Sequence, residues 1–211
     1  KRLEWRGFDV NLTEHNVGDA FPNNVDIVIG GGGQDSGQLR IRDDLQRISP
    51  KLKKLADNGT PMLVICGLYQ LFGRSFTTKD GDVVPGAGIF DLETVGDDKR
   101  IVGNIILNSS EFGEIIGYEN HSGLTTLDPN LVSLGEVVKG VGNNNTNSNE
   151  GARYHNVIGT YLHGPLLPKN PRIADWILAQ AINRKYGEAS LEPLKDQYVD
   201  QARSIASKRP R

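Results

Sequence analysis

The stretch PMLVICGLYQ, residues 61–70, contains the only cysteine of the 211-residue chain. Its first half is a run of apolar residues, typical of a buried strand. The run stops at Cys66, a glycine follows, and the next residues predict a short helix through Phe72. The stretch therefore allows two interpretations of Cys66. It is a packed core thiol, the common fate of a lone cysteine, or a nucleophile at the start of a helix.

Strand and helix patterns alternate upstream of this stretch. DVNLTEH (9–15) alternates like a half-buried strand, and VDIVIG (25–30) predicts a buried strand that ends in four glycines. Residues 37–58 repeat apolar side chains at helical spacing, but Pro50 interrupts them, which predicts a kink or two helices. The order strand, helix, strand, helix predicts a mainly parallel sheet with crossover connections.

The downstream half has a different pattern. Short alternating segments between residues 83 and 138 predict antiparallel strands added to the sheet. Residues 140–152, GVGNNNTNSNEGA, predict a polar, turn-rich loop. NVIGTYLH (156–163) predicts a strand that ends at His163, and residues 171–186 predict an amphipathic helix.

Together these elements predict the α/β class. We expect residues 1–211 to form a single three-layer domain with a mainly parallel central sheet plus antiparallel additions. Residues 188–211 are expected to form a helical tail. The chain begins at Lys1, and its first residues look like the end of a helix. We therefore expect a further segment to precede them in the whole protein.

Composition narrows the range of functions. The 24 basic and 26 acidic residues give a net charge of -2, without a basic, aromatic-rich block, which disfavours nucleic acid as a partner. One cysteine forms no internal disulfide, and no window approaches the roughly 18 consecutive apolar residues of a membrane span. These features predict a cytoplasmic protein.

Candidate chemistry lies where buried strands end, because ligands of open α/β sheets bind at the carboxyl ends of the strands. Three such ends are Gly30–Gln34, Cys66–Gln70 and His163-Gly164. A thiol titrates near ~8.5, and the start of a helix favours its thiolate. The four glycines either bring amides to a developing oxyanion or form a flexible turn; they match no nucleotide-binding motif. The histidine spacings predict no metal site.

Four motifs in this order carry a family resemblance: IGGGGQD (29–35), VICGLYQ (64–70), YENHSG (118–123) and GTYLHGPLLPKNP (159–171). They resemble class I glutamine amidotransferases of the cobyric-acid-synthase-like (CobB/CobQ) group, which have a flavodoxin-like fold. Within that group the chain is most similar to the GatD-type glutaminase subunits of lipid II isoglutaminyl synthases. The resemblance covers about residues 25–187.

The resemblance implies roles for nine residues. Cys66 would be the nucleophile and His163 its general base and later acid. The oxyanion would be bound by backbone N–H groups of Gly67 and of Gly32 or Gly33. Glutamine would be bound by Arg100, through its α-carboxylate, and by Gln70, Asn120 and His121.

The chain departs from the wider class at three positions. Val64 and Leu68 stand where that class has glycines on either side of the nucleophile, and Leu68 bears on the geometry of the turn. Pro165 stands where many class I enzymes have a glutamate, so that motif supplies no third triad member. A histidine without a carboxylate partner is poorly oriented. We therefore expect a partner subunit to complete or order the site.

The resemblance also implies a function. The chain would hydrolyse L-glutamine and deliver ammonia to a Mur-ligase-like synthetase subunit of the MurT type, which amidates the D-glutamate of lipid II in peptidoglycan synthesis. ATP and Mg²⁺ would be bound by that partner in a heterodimer, with no cofactor in this chain. The alternatives are a cobyric-acid-type amidotransferase subunit and a catalytically silent scaffold.

Overall fold

The computed structural model describes residues 1–33, 35–187 and 190–210. A 3₁₀ turn at Glu4–Arg6 comes first. The helices of these ranges are α1 (Asp35–Asp57), α2 (Gly67–Leu71), α3 (Leu166–Lys169), α4 (Pro171–Tyr186) and α5 (Gln197–Ala206). The strands are β1 (Val28–Gly30), β2 (Met62–Ile65), β3 (Ser75–Thr77), β4 (Val83–Pro85), β5 (Leu92–Ser109), β6 (Gly113–Leu127), β7 (Gly135–Lys139), β8 (Asn149–Glu150), β9 (Ala152–Tyr154), β10 (Val157–Thr160) and β11 (Leu162–His163).

The strands form two sheets. The first has four strands in the order β1-β2-β10-β9, with β1, β2 and β10 mutually parallel and β9 antiparallel at the edge. The second has seven strands and is built on the long antiparallel pair β5 and β6, with β11 beside β6 and β3 and β7 beside β5. The α/β class is confirmed. The predicted antiparallel strands, however, form a sheet of their own instead of extending the parallel one.

Strand β2 shows how the layers are stacked. Met62 and Val64 pack with the apolar stripe of α1 in one core cluster, whereas Leu63, between them, packs in the other. That second cluster contains side chains from β5, β6, β10 and α4. Because successive strand side chains point to opposite faces, the parallel sheet lies between α1 and the layer that contains the second sheet and α4. The parallel sheet is thus covered on both faces.

Two predictions for the N-terminal half are wrong. DVNLTEH (9–15) is not a strand; Val10 and Leu12 are exposed, so the alternation has no core to face and no strand to pair with among the described residues. The two-helix alternative for residues 37–58 also fails, because α1 is one helix that runs through Pro50. Leu45 and Leu52, on either side of that proline, pack in the same core cluster, which holds both halves of the helix together.

The predicted strand 156–163 is two strands in different sheets. β10 ends at Thr160 in the parallel sheet, and β11 begins at Leu162 in the antiparallel sheet, paired with β6. Tyr161 therefore lies where the chain passes from one sheet to the other. His163 therefore belongs to the antiparallel sheet, where it pairs with Tyr118 of β6.

The polar segment 140–152 also differs from a simple surface loop. Asn143 and Glu150 are fully buried, and the segment contains the short strand β8. Asn143 accepts hydrogen bonds from Tyr69 and from the Gly151 amide, and its own side-chain amide donates to the Gly151 carbonyl. Polar side chains of residues 140–152 are thus buried, and they form hydrogen bonds with buried backbone groups.

The C-terminal tail contains the predicted helix, α5. Residues 188, 189 and 211 of the predicted tail lie outside the described residues. Arg203 of α5 donates to the carbonyl of Lys169, to the Asn170 side chain and to the carbonyl of Glu114. No described helix is long and apolar enough to cross a membrane.

Candidate active site

Cys66 occupies a strained turn between β2 and α2. Its backbone has φ +55° and ψ -115°, a left-handed conformation that side chains rarely adopt. Such strain costs on the order of 1–3 kcal/mol and is typical of residues whose side chains must project from a strand-to-helix turn. Two hydrogen bonds hold the turn: the Cys66 amide donates to the Thr160 carbonyl at 2.9 Å, and its carbonyl accepts from the Gln70 amide at 3.0 Å.

Leu68 is accommodated by a glycine on the neighbouring strand. A β-carbon added to Gly30 would lie 1.9 Å from Leu68 Cδ2, so the leucine fills the space that a side chain at position 30 would need. Leu68 is half-buried and packs against the core cluster of α1. The second glycine of the usual motif is thus replaced by a leucine that packs over Gly30, and α2 still begins at Gly67.

The glycine loop brings Cys66 and His163 together. A β-carbon added to Gly32 would lie 3.0 Å from Cys66 Cβ, 3.7 Å from Cys66 Sγ and 3.2 Å from His163 Cε1. Gly32 therefore contacts both candidate catalytic side chains at once. The loop after β1 and the turn after β2 thus meet at the carboxyl edge of the parallel sheet, whereas His163 reaches the same point from β11 of the antiparallel sheet.

The candidate oxyanion donors lie on the other side of the same turn. A β-carbon added to Gly67 would lie 2.9 Å from the Gly33 carbonyl oxygen and 3.2 Å from the Gly33 nitrogen, and a similar one on Gly33 would touch nothing within 4 Å. Gly67 and Gly33 are thus in close backbone contact. Only a residue without a side chain fits at position 67, because the Gln38 amide also presses against it, with Nε2 2.5 Å from the same added carbon.

A cavity of about 400 Å³ opens beside Cys66. Its walls include six residues that the sequence predicted for the site, namely Gly33, Cys66, Gln70, Arg100, Asn120 and His121. Gln38, Lys79 and Asp97 also line it, together with Ser36, Asp98, Ser122 and Gly123. A volume of this size accommodates a single amino acid.

Arg100 enters the cavity from a bulge in β5. The pairing of β5 with β6 shifts register between Gly96 and Ile101, so residues 97–100 stand out from the ladder. Bulges of this kind re-aim side chains beside active sites. The exposed Arg100 donates from Nε to Asn120 Oδ1 at 2.7 Å. This hydrogen bond orients the guanidinium group without using its two outer nitrogens. Asn120 therefore orients Arg100, a role that the sequence did not predict.

The two histidines of the site are both held neutral. Burial lowers the pKa of His163 below its ordinary value, and the positive charge of Arg100 lowers it further. Burial also lowers the pKa of His121, to about 4. His121 Nδ1 lies 2.8 Å from the Gly123 carbonyl oxygen, which only accepts, so the proton is on Nδ1.

The described residues contain no group of three or more His, Cys, Asp or Glu side chains suited to a metal ion.

A buried carboxyl group anchors the segment that leads to His163. Glu150 accepts hydrogen bonds from the Tyr161 amide at 2.6 Å and from Thr160 Oγ1 at 2.9 Å. Tyr161 in turn stacks on His121, with ring centroids 3.7 Å apart. Across residues 1–33, 35–187 and 190–210, no hydrogen bond or salt bridge joins His163 itself to a carboxylate. The histidine is positioned by backbone anchoring instead.

Sequence reasoning missed Gln38, Glu150 and the acidic residues of the bulge. A signal for Gln38 exists, because it continues the apolar stripe of α1, three residues before Ile41 and seven before Leu45. A glutamine on an apolar stripe is a buried polar residue, and such residues need a partner. Glu150 carries no comparable signal in its polar surroundings.

Comparison with protein families gives a match over residues 1–171 to the CobB/CobQ-like glutamine amidotransferase domain. The chain is 41% identical over 186 residues to the GatD subunit of the glutamine-hydrolysing lipid II isoglutaminyl synthase of Staphylococcus aureus strain N315. That alignment covers 88% of this chain and 76% of the relative. The corresponding subunit of Streptococcus pneumoniae R6 is 35% identical, with 87% of this chain and 71% of the relative covered.

More distant similarities point to the same fold. A probable cobyric acid synthase of Methanococcus maripaludis strain C7 is 29% identical over 64% of this chain, but only 29% of that relative is covered. A solved glutamine amidotransferase superposes with a TM-score of 0.58 at 14% identity, covering 75% of this chain and 80% of the other. PurLQS from Thermotoga maritima gives 0.52 at 14% identity, with 90% and 84% covered.

Proposed function

Because the chain belongs to the CobB/CobQ-like glutamine amidotransferase family, we propose that it is the glutamine-hydrolysing subunit of a lipid II isoglutaminyl synthase. The observation that carries this proposal is the 41% identity to a GatD subunit over 88% of the chain. The convergence of Cys66, His163 and Gly32 at the edge of the parallel sheet supports the chemistry. The cobyric acid synthases are weaker guides, because this chain matches less than a third of the length of the one compared above.

The reaction begins when neutral His163 takes the proton of the Cys66 thiol. The thiolate attacks the side-chain carbonyl carbon of glutamine, and the carbonyl oxygen becomes an oxyanion held by amides of Gly67 and the Gly32–Gly33 loop. One well-placed donor of this kind contributes roughly 3 kcal/mol to the barrier. The lowered pKa of His163 suits this step, because the ring is neutral and able to accept a proton at pH 7.

The second half of the reaction releases both products. His163 returns the proton to the amide nitrogen, the carbon–nitrogen bond breaks, ammonia leaves and a glutamyl thioester remains. Water then attacks the thioester while His163 takes its proton. The carbon–sulfur bond breaks, glutamate departs, and the proton returns to Cys66. Each turnover consumes one glutamine and one water and yields one glutamate and one ammonia.

Substrate binding uses the opposite wall of the cavity. Arg100, oriented by Asn120, forms a charge-assisted contact with the α-carboxylate of glutamine. His121 has its proton on Nδ1, so its Nε2 is an acceptor for the α-ammonium group. Gln70 is buried and bound to Gln38 and Tyr161, and it therefore shapes the floor of the cavity.

The acceptor of the ammonia belongs to a partner. We infer that a Mur-ligase-like synthetase subunit of the MurT type binds ATP and Mg²⁺ and amidates the D-glutamate of lipid II. His163 has no carboxylate partner in the part of the chain that is described. A group from the synthetase subunit, or an ordering effect of its binding, would supply the missing orientation. Hydrolysis of glutamine would then be slow until the acceptor enzyme is present.

The test is reconstitution with the synthetase subunit, ATP, Mg²⁺ and lipid II. Cys66→Ser is expected to abolish amidation from glutamine and to leave amidation from added ammonium unchanged. Amidation from glutamine by the Cys66→Ser complex would contradict the assignment of the nucleophile. A wild-type complex that amidates a cobyrinate-type acceptor and not lipid II would favour the cobyric-acid-type alternative. A wild-type complex inert with glutamine but active with ammonium would identify a silent scaffold.

A further inference from the structure

Gln38 is a buried polar side chain that the catalytic steps above do not use. It lies near the start of α1, is 3% exposed, and lines the cavity beside Cys66. Its position on the apolar stripe of the helix would suit a leucine. A glutamine there loses the hydration of its amide, which is unfavourable unless both ends of the amide find partners.

One end of the amide is firmly held. Gln38 Nε2 donates to Gln70 Oε1 at 2.6 Å, and Gln70 Nε2 donates to Tyr161 Oη at 3.1 Å. Tyr161 Oη is in turn 2.6 Å from Thr125 Oγ1. This buried chain of hydrogen bonds fixes the side chains of Gln38 and Gln70. The Gln38 amide directs its nitrogen toward Gln70, which leaves Oε1 as the other end of the group.

The other end is an acceptor without a partner. Gln38 Oε1 is buried and accepts no hydrogen bond from any described residue. An unsatisfied buried acceptor is destabilising, so its presence at a cavity wall points to a donor that arrives with the ligand.

The position of the Gln38 amide in the cavity identifies which end of the ligand supplies that donor. The Gln38 amide packs directly on Gly67, the residue after the nucleophile, as the 2.5 Å approach of Nε2 to an added Gly67 β-carbon shows. The reacting carboxamide must lie at this turn. Arg100, which suits the α-carboxylate, instead comes from the bulge of β5, with its Asn120 partner on β6. Gln38 is therefore at the reacting end of the cavity.

We propose that Gln38 Oε1 accepts a hydrogen bond from the –NH₂ of the substrate's side-chain carboxamide and thereby selects glutamine over glutamate. The inference rests on the proposed glutaminase function and assigns a specificity residue to it. A carboxylate in place of the carboxamide offers no donor and brings its negative charge against Oε1. A site that hydrogen-bonds a substrate N–H discriminates strongly against analogues without it.

The experiment is equilibrium binding to the complex of this chain with its synthetase subunit, in a Cys66→Ser background that prevents turnover. Three ligands are compared: L-glutamine, glutaramic acid, which lacks the α-amino group, and L-glutamate 5-methyl ester, which lacks the carboxamide N–H donors. Gln38→Met is expected to weaken glutamine and glutaramic acid by the same factor, about tenfold, and to leave the methyl ester unchanged. Gln46→Met, an exposed position on the same helix, is the matched control and should change none of the three.

Each alternative outcome overturns the proposal. A loss confined to glutamine, absent with glutaramic acid, would place Gln38 at the α-ammonium group. An equal loss for all three ligands would show that Gln38 only supports the fold of the site. Equal affinities of the Cys66→Ser complex for glutamine and the methyl ester would refute the contact without any change at Gln38, so the test survives if Gln38→Met does not fold. Failure of the proposed function is seen separately, as a wild-type complex that hydrolyses no glutamine.

Discussion

Cys66 and Arg100 line the same cavity but reach it in different ways. Cys66 is placed by its own neighbours in the chain: an apolar strand, a strained turn and a short helix. Arg100 lies in the bulge of an 18-residue strand, and its orientation depends on Asn120 from the paired strand. The candidate nucleophile is thus positioned by residues close to it in the chain, whereas the proposed substrate-binding wall is assembled from distant segments. The following changes test that difference, beginning with the largest effect.

Gly32 contacts both Cys66, which its neighbours in the chain position, and His163, which comes from a distant segment. Gly32→Ala would place a methyl group 3.0 Å from Cys66 Cβ and 3.2 Å from His163 Cε1, so one of the two must move. We expect glutamine hydrolysis by the complex to fall about 1,000-fold, roughly 4 kcal/mol, with little loss of stability. Gly31→Ala, which adds a methyl group that meets nothing within 4 Å, is the control. Comparable activities of the two variants would refute the convergence at Gly32.

A second test concerns Glu150, which does not line the cavity but anchors the segment that leads to His163. Burial raises the pKa of its carboxyl group from 4.5 to about 8. As the pH rises, this carboxyl group ionises in the unfolded chain before it ionises in the folded protein. The contribution of the protonated Glu150 carboxyl group to the unfolding free energy is therefore complete below about pH 4.5 and is lost as the pH rises through 8. Relative to Glu150→Gln, the wild type should lose about 4 kcal/mol of unfolding free energy between pH 5 and 8.5. Urea unfolding at both pH values measures this.

The control for this pH effect is Glu136→Gln, an exposed glutamate on β7. It should keep the pH dependence of the wild type. A Glu150→Gln variant that also keeps it would show that the Glu150 carboxyl group is ionised in the folded protein at neutral pH.

The contact between Gly30 and Leu68 tests the local part. Gly30→Ala puts a carbon 1.9 Å from Leu68 Cδ2 and should lower the unfolding free energy by about 2 kcal/mol through overpacking. Combining it with Leu68→Ala should recover most of that loss, because the smaller side chain vacates the space. Additive losses in a double-mutant cycle would mean that Leu68 does not replace a side chain at position 30.

Arg100 gives the smallest expected effect. Arg100→Lys keeps the charge but loses the planar fork and the Nε donor to Asn120, so KM for glutamine should rise about tenfold while kcat changes little. Arg74→Lys, at an exposed ion pair with Glu93, should leave both constants unchanged. A tenfold fall in kcat without a change in KM would instead place Arg100 in the chemical step and not in substrate binding.

The sequence predicted the elements near the nucleophile better than those of the opposite wall. β2, α2 and α4 occur where their patterns indicated, because each combines a clear apolar period with a turn or proline signal. DVNLTEH has the period of a strand but no partner strand in the part of the chain that the structure describes, and residues 156–163 are divided between two sheets. Pairing between distant strands decides both cases, and local alternation does not contain that information.

The sequence by itself determined the family and the strand-turn-helix around Cys66, and it singled out His163 as the candidate second reactive group. These depend on residues that are close together in the chain or on motifs in a fixed order. Only the tertiary structure decided how Leu68 is accommodated, which residue orients Arg100, and that Gln38 and Glu150 are buried. Each of those depends on which distant surfaces pack together, and packing and desolvation are properties of the folded chain.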